Sequence, residues 1–522
     1  MAGALLRSPG ENGVTAGAGI GREPGGPPGF AGRRGPDLTV GPIGKTLILF
    51  ALPMMGANIL QSLNGSANAI WVSHVLGEAA LTATSNANQI MFLMLGAVFG
   101  LSMASNIMIG QAIGARDEAL AKRVIGSSTT FFIVVSISVG LLGAALTPQI
   151  LDAMGTPPAA RRDAIAYLQV IFSAMPFMYF FSYIMMAQRG VGDSRTPFYF
   201  ALMAVVLDVI LNPLLIIGVG PFPKLGIAGS ATATLVSQTV TLAAMIIHLY
   251  RRQSILMLRP SEFHLLIPDL AIIRGLVFKG LPMGAQMMVT SLAAVTMMSM
   301  VNRYGVHVSA AYGAATQVWT YIQMPAMALG ASVSSMAAQN VGAGRMDRVD
   351  EIARKGLLFA FIGGLVPVLI IFLADPWVLR AFLPAGSPSL PIAIHINSIV
   401  LWGFIPFGMA FIVSGVVRAT GVVWPPMAAM VIALWVVRVP LANILQPHLG
   451  VDGVWIAYPT GSVVMLALAL GYFVWGDWRN SRMLPTTPAI SDEPDTGLSQ
   501  PMIEEAEALS DAAQASSERM RR

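Results

Sequence analysis

The sequence predicts an all-α polytopic membrane protein, with twelve transmembrane helices arranged as two pseudo-symmetric six-helix lobes. Three observations carry this reading. Of 522 residues, 55% are hydrophobic and 11% are charged, with a mean hydropathy of +0.68, outside the usual balance of a soluble domain. Apolar windows of about 20 residues, the length that crosses a roughly 30 Å hydrocarbon layer, recur twelve times. Short motifs also return along the chain at a nearly constant shift of 228 or 229 residues.

The windows span approximately 44–66, 82–110, 124–147, 165–188, 198–220, 227–250, 273–301, 309–338, 356–375, 392–417, 423–446 and 453–476. The second and eighth are long enough to tilt or project. Residues 1–42 are rich in Gly, Pro and Arg and lack the apolar core of a signal peptide, so they are expected to be a disordered tail. Residues 479–522 are expected to be a second such tail. Between the lobes, 43–252 and 272–478, runs a linker at 253–271.

Orientation follows from the basic residues of the short loops. With the N-terminus inside, fifteen Lys or Arg fall in inner loops, among them Arg116, Arg189, Arg345 and Arg418, against five outside: Arg161, Arg162, Lys224, Arg303 and Arg380. Both termini are therefore expected to be cytoplasmic, which requires an even helix count.

GQAIGAR at Gly110 returns as AQNVGAG at Ala338, and QRGVGDSRTP at Gln188 returns as VRATGVVWPP at Val417. LPM at 52 returns at 281. Because six is even, both halves enter the membrane from one side, and the repeats are parallel about an axis along the membrane normal. Such an axis encloses a central cleft, the architecture of a secondary transporter.

Polar residues mark the first lobe. Gln61, Asn64 and Asn68 share one face of helix 1, Asp208 and Asn212 share one of helix 5, and Ser230, Thr234 and Gln238 share one of helix 6, near Thr241. Three such stripes point to a hydrated internal cavity, although amides and hydroxyls also glue membrane helices together. An acid at bilayer depth costs at least a few kcal/mol when it faces lipid, so Asp208 reads as functional. It is the only acid placed deep in a membrane helix here, and the second lobe is expected to have none. That lobe offers Gln286, Thr290 and His395, with Arg438 near the repeat counterpart of Asp208 at a shift of 230. Arg438 either pairs with Asp208 across the cleft in one conformational state or is satisfied by carbonyls or by snorkelling to the surface.

From 43 to 476 the chain resembles the multidrug and toxic compound extrusion (MATE) transporters. The pieces that carry the resemblance are FALPMMGANILQSL, ANAIWVSHVLGEAAL, GQAIGARDEALAKR, GVGDSRTP, and LNPLLIIGVG followed by GIAGSATAT, in this order and duplicated. It implies antiport, in which small, often cationic or amphiphilic compounds are exported from a bacterial cell across its inner membrane, driven by an inward proton or sodium gradient. Relatives usually carry an Asp where this chain has Asn68, and Asn then Asp where it has Asp208 then Asn212. The coupling set is accordingly Asp208, Asn212 and Asn68, with Gln61, Asn64, Ser230, Thr234, Gln286, Thr290 and Arg438 as cavity residues. Sodium coordination by Asp208, Asn68, Asn212 and a hydroxyl and proton exchange on Asp208 are equally drawable.

Other classes fit less well. No cysteine is present, which removes disulfides and thiolate metal sites. A phosphate-binding Gly-rich loop ending in Lys-Ser or Lys-Thr is absent, and the six His form no HExxH, so neither an ATP-driven pump nor a metalloenzyme is indicated. The formal charge of +5 collects in loops and tails, which implies no nucleic-acid partner. A flippase for a lipid-linked saccharide is the nearest rival, and it is expected to line its cavity with several cations. The expected partners are a small-molecule substrate and the bilayer, with the chain acting as a monomer and no cofactor beyond the coupling ion. The methionines, together with Trp71, Tyr183 and Trp319, are read as packing or interface residues that can also line a cavity.

Overall fold

The computed structural model describes residues 36–483 apart from 77, 154–157 and 385. Twelve long helices follow one another: α1 Ile43–Leu76, α2 Glu78–Gly114, α3 Glu118–Ala153, α4 Pro158–Gly190, α5 Arg195–Ile217 and α6 Ile227–Arg251, then α7 Leu270–Asn302, α8 Val306–Gly342, α9 Met346–Leu379, α10 Ser389–Ala419, α11 Trp424–Leu449 and α12 Asp452–Trp475. Among the described residues there is no strand. Eleven of the helices are long and apolar enough to span a membrane. The twelfth, α8, is 37 residues long and carries buried Ser332, Ser334, Ser335, Gln339 and Asn340. Its polarity is tolerable because these groups pack against protein rather than lipid.

The two halves repeat their packing. In the first lobe α4 packs on α2, α3 and α6, and α5 on α6; in the second, α10 packs on α8, α9 and α12, and α11 on α12. The lobes meet where α2 contacts α7 and α8, and where α1 contacts α8. Close approach between them requires glycine. A Cβ on Gly114 would lie 1.8 Å from the carbonyl oxygen of Gln339, and one on Gly342 would lie 1.9 Å from that of Gln111. The pseudo-two-fold axis passes beside this crossing, where Asn106 Nδ2 donates to Ser335 Oγ at 3.2 Å across a separation of 229 residues.

Both glutamines of the repeated motif bridge the lobes. Gln111 Nε2 donates to the Ala419 carbonyl at 2.7 Å and Gln339 Nε2 to the Gly190 carbonyl at 2.8 Å, and Gly190 and Ala419 are themselves repeat counterparts. Each amide oxygen receives a terminal segment, Met483 N at 3.0 Å on Gln111 and Leu38 N at 3.1 Å on Gln339. Both ends of the described segment thus lie on one face, called the terminal face below. The tails expected to be disordered fall outside the described residues except at 36–42 and 479–483, which pack against this face, burying Leu38, Thr39 and Met483.

The linker is docked rather than loose. Lys122 on α3 donates to the Met257 carbonyl at 2.7 Å and pairs with Glu262 at 2.8 Å, and Arg123 pairs with Asp269 at 2.5 Å. Residues counted as inner-loop charges include two that the fold buries, Arg189 and Arg418. Each sits in the last turn of its helix, where the partial negative charge of the helix end favours a cation. The GDSRTP segment caps α5: Asp193 accepts from the backbone N–H groups of Arg195 and Thr196 at 2.9 and 3.0 Å.

Candidate functional site

Asp208 lies thirteen residues into α5, about 20 Å from its first turn at 1.5 Å per residue. Only 2% of it is exposed. Its carboxylate accepts hydrogen bonds from Asn68 Nδ2 on α1 at 3.0 Å and from Thr234 Oγ1 on α6 at 3.1 Å. Asn64 and Ser237 also face it. One turn on, Asn212 Nδ2 donates to Asn68 Oδ1 in a short hydrogen bond. Three helices thus deliver one cluster, because residues spaced by three or four fall on a common face. Pro213 follows Asn212 within α5, and its missing N–H interrupts the helix ladder beside the cluster.

The oxygen inventory of the cluster is unusual. Asn64 Oδ1 and Asn212 Oδ1 are buried without a hydrogen-bond donor, as is Gln238 Oε1 on α6. No Lys or Arg pairs with Asp208 among the described residues. A carboxylate, amide oxygens and a hydroxyl with no paired Lys or Arg form a donor set that suits a hard monovalent cation.

The remaining residues of the predicted set are distributed differently. Ser230 is buried one turn before Thr234, and its carbonyl accepts from the Thr234 hydroxyl at 3.4 Å. Gln61 is exposed and stands apart from the cluster. In the second lobe, Gln286 Oε1 accepts from Arg418 Nη1 at 3.0 Å, and Thr290 donates to the Gln286 carbonyl at 2.8 Å. Arg438 is not paired with Asp208 in this conformation. Its Nη2 donates to the Tyr458 carbonyl at 3.3 Å and to Ser462 Oγ at 3.4 Å.

One expectation is overturned. The second lobe does hold a buried acid: Asp375, near the end of α9, is 2% exposed and accepts from Asn397 Nδ2 at 2.7 Å. Asn397 in turn accepts from Trp319 Nε1 at 2.9 Å. The sequence places Asp375 at the last residue of its apolar window, where an acid is normally hydrated. Here α10 and α8 cover it instead. His395, at the same end, is exposed and contacts Asp452 at 2.9 Å. Tyr183 is buried against Phe132, with ring centroids 4.6 Å apart, and does not line the cluster.

Comparison with known proteins decides the family. The MatE family model matches residues 53–214 and again 282–444, two copies offset by 229 residues at their starts (282 minus 53) and 230 at their ends (444 minus 214). The chain belongs to the MATE family of membrane transporters. It is a transporter, not an enzyme. It is 36% identical over 444 residues to the probable multidrug resistance protein YoeA of Bacillus subtilis, covering 84% of this chain and 96% of that protein. It is 26% identical to the probable multidrug resistance protein NorM of Thermotoga maritima, covering 86% and 96%. It is also 26% identical to a protein named FAD transporter from Shewanella oneidensis, covering 82% and 94%. Among solved structures, the outward-facing conformation of a multidrug resistance MATE family transporter of the MOP superfamily superposes with a TM-score of 0.76 at 22% identity, covering 85% of this chain and 97% of that one.

Proposed function

We propose that this MATE-family chain is a secondary antiporter that exports small cationic or amphiphilic organic compounds in exchange for a cation taken up at Asp208. The observation that carries this reading is the cluster of Asp208, Asn68, Asn212 and Thr234 at mid-membrane depth in the first lobe. A buried carboxylate held only by amides and a hydroxyl has no structural counter-charge, so it is poised to gain one.

The amides supply a switch. As arranged here, Asn68 presents its NH2 to the carboxylate and its oxygen to Asn212. A half-turn of both amides preserves their mutual hydrogen bond, points Asn68 Oδ1 at the carboxylate, and is consistent with the chemistry of a bound sodium ion. The donor-free oxygen of Asn64, together with the Asn68 oxygen that this half-turn points inward, favours sodium over a proton, because a proton on Asp208 needs one acceptor and leaves the other unused.

Alternating access requires one side to be sealed while the other admits cargo. The α2–α8 crossing and the two glutamine bridges support a seal at the terminal face. With the fifteen-to-five basic bias, that face is the cytoplasmic one, in the inner membrane of a bacterium, and the conformation described is the outward-facing one. The chain works as a single copy, since the whole cluster is assembled within it. The test is efflux of a fluorescent organic cation from proteoliposomes under an imposed sodium or proton gradient. Asp208→Asn should lose gradient-driven efflux while remaining folded in detergent; full activity in that variant would move coupling elsewhere.

A further inference from the structure

Arg438 lies close to the position in the second lobe that Asp208 occupies in the first, at a shift of 230 residues (438 minus 208). It lies in the middle of α11, fourteen residues from Trp424 and eleven from Leu449. Arg189, Arg418 and Arg438 are withdrawn from solvent with no acid among their neighbours, yet they differ in setting. Arg189 and Arg418 sit in last turns, where exposed carbonyls compensate a cation. Arg438 has no helix end near it.

What surrounds Arg438 is an incomplete solution for a guanidinium. Nη2 makes two long hydrogen bonds, 3.3 Å to the Tyr458 carbonyl and 3.4 Å to Ser462 Oγ, and the charge lies 4.6 Å from the Tyr458 ring centroid. Nε is buried without a partner, against Gly461, where a Cβ would come within 3.0 Å of it. The side chain is half-buried rather than sealed. Asp375, a buried acid of this lobe, is engaged by Asn397 and is not among the groups that act on Arg438. Beneath Arg438, α11 is wound as a π-helix over Ile432–Arg438, an irregularity that concentrates at functional sites. The aromatic wall continues from Tyr458 to Trp319, with centroids 5.4 Å apart, and from Trp319 to Phe404 at 5.7 Å.

A permanent cation at membrane depth, with no carboxylate and with donor capacity unused, is complementary to an oxyanion. The ring wall beside it suits a flat apolar body. We propose that Arg438 is an anion-binding residue of the second lobe, which receives the carboxylate or phosphate group of an amphiphilic cargo whose ring rests against Tyr458. This deepens the antiporter reading and rests on it: export of such cargo pairs a cation site in one lobe with an anion site in the other.

The test uses the full chain in phosphatidylcholine nanodiscs and three probes of one shape: 2-naphthoate, the neutral 2-naphthamide and the cationic 2-naphthylmethylammonium. Calorimetric titration should show the wild type binding 2-naphthoate about tenfold or more tightly than the amide, in keeping with one charge-assisted pair. Arg438→Gln should abolish that preference while amide binding persists. Arg438→Lys should keep part of it, since the charge remains and the fork is lost. If Arg438→Gln does not fold, Gly461→Ala, whose Cβ would come within 3.0 Å of Arg438 Nε, presses on the side chain without removing its charge and should also reduce the preference. Asp208→Asn should lose gradient-driven efflux but keep the naphthoate preference, so failure of the coupling reading is separable from failure of this one. Equal binding of naphthoate and amide by the wild type, or a preference that survives in Arg438→Gln, would overturn the proposal. Competition by phosphatidylglycerol added to the disc would make a lipid headgroup the occupant and overturn the assignment to cargo.

Discussion

Gly114→Ala tests whether the α2–α8 crossing is the seal of the terminal face. The added Cβ would sit 1.8 Å from the Gln339 carbonyl oxygen, whereas real Cβ contacts stay above 3.0 Å, so the helices must part by more than 1 Å. The neighbour is backbone and cannot rotate away. Overpacking of this kind costs about 1–3 kcal/mol, which at about 1.4 kcal/mol per factor of ten reduces the ratio of sealed to open molecules roughly 5- to 150-fold. The absence of cysteine makes the assay clean. Ser334→Cys places a single thiol on α8 at a fully buried position, and its rate of modification by an impermeant maleimide added at the terminal face reports the open population. That rate should rise by the same factor in Gly114→Ala and in Gly342→Ala. Because one separation of the helices relieves both clashes, the double variant should rise by less than the product of the two. Gly313→Ala, on the same helix with nothing within 4 Å, should leave the rate unchanged. Unaltered modification in both crossing variants, with the protein folded, would refute the seal.

Three other perturbations follow from the geometry. Asp375→Ala orphans Asn397 Nδ2 in a buried setting and should cost about 1–3 kcal/mol, seen as a lower melting temperature in detergent, whereas Asp375→Asn should retain gradient-driven transport; loss of coupling there would make Asp375 part of the ion path. Burial tends to raise the carboxyl pKa of Asp269, but the Arg123 hydrogen bond and the N–H groups of Ala271 and Ile272 outweigh it and hold the group below its usual range. A depressed pKa gives stability that is present above the unfolded value and lost as pH falls through the folded one, so the melting-temperature gap between wild type and Asp269→Asn should be full at neutral pH and narrow below about pH 4; a constant gap would remove the ion pair from the account. Asn68→Asp places a second carboxyl beside Asp208, and since two neighbouring acids do not both ionise cheaply, the pH optimum of transport should move upward without sodium and move back as sodium is added; an unchanged profile in a well-expressed variant would separate the two residues.

Much of this architecture is legible in the residues because membrane helices obey few rules. Apolar length marks the spans, and a constant repeat shift marks the lobes. The spacing of Asn64 and Asn68, Asp208 and Asn212, and Ser230 and Thr234 already places each pair on one helix face, and the structure turns those faces toward one another. Gln61 follows the same spacing yet is exposed, because helical period places a residue on a face without deciding how far along the helix that face stays covered. Asp375 sits at a window edge, where an acid reads as hydrated, and only the packing of α8 and α10 shows that it is buried. Gln111 and Gln339 were visible as a repeat, but their role depends on which carbonyl lies opposite, a long-range fact with no local signal. The π-turn before Arg438 likewise leaves no mark in an apolar run.

The central claim is that Asp208 exchanges a cation for cargo. Its most direct test is the flux of the ion itself: uptake of labelled sodium, and in parallel of protons, into proteoliposomes preloaded with an organic cation that the protein exports. The account predicts cargo-dependent sodium uptake by the wild type and none by Asp208→Asn, with cargo binding retained in both. Cargo-dependent ion uptake that persists in Asp208→Asn, or export by the wild type with no movement of either ion, would contradict it.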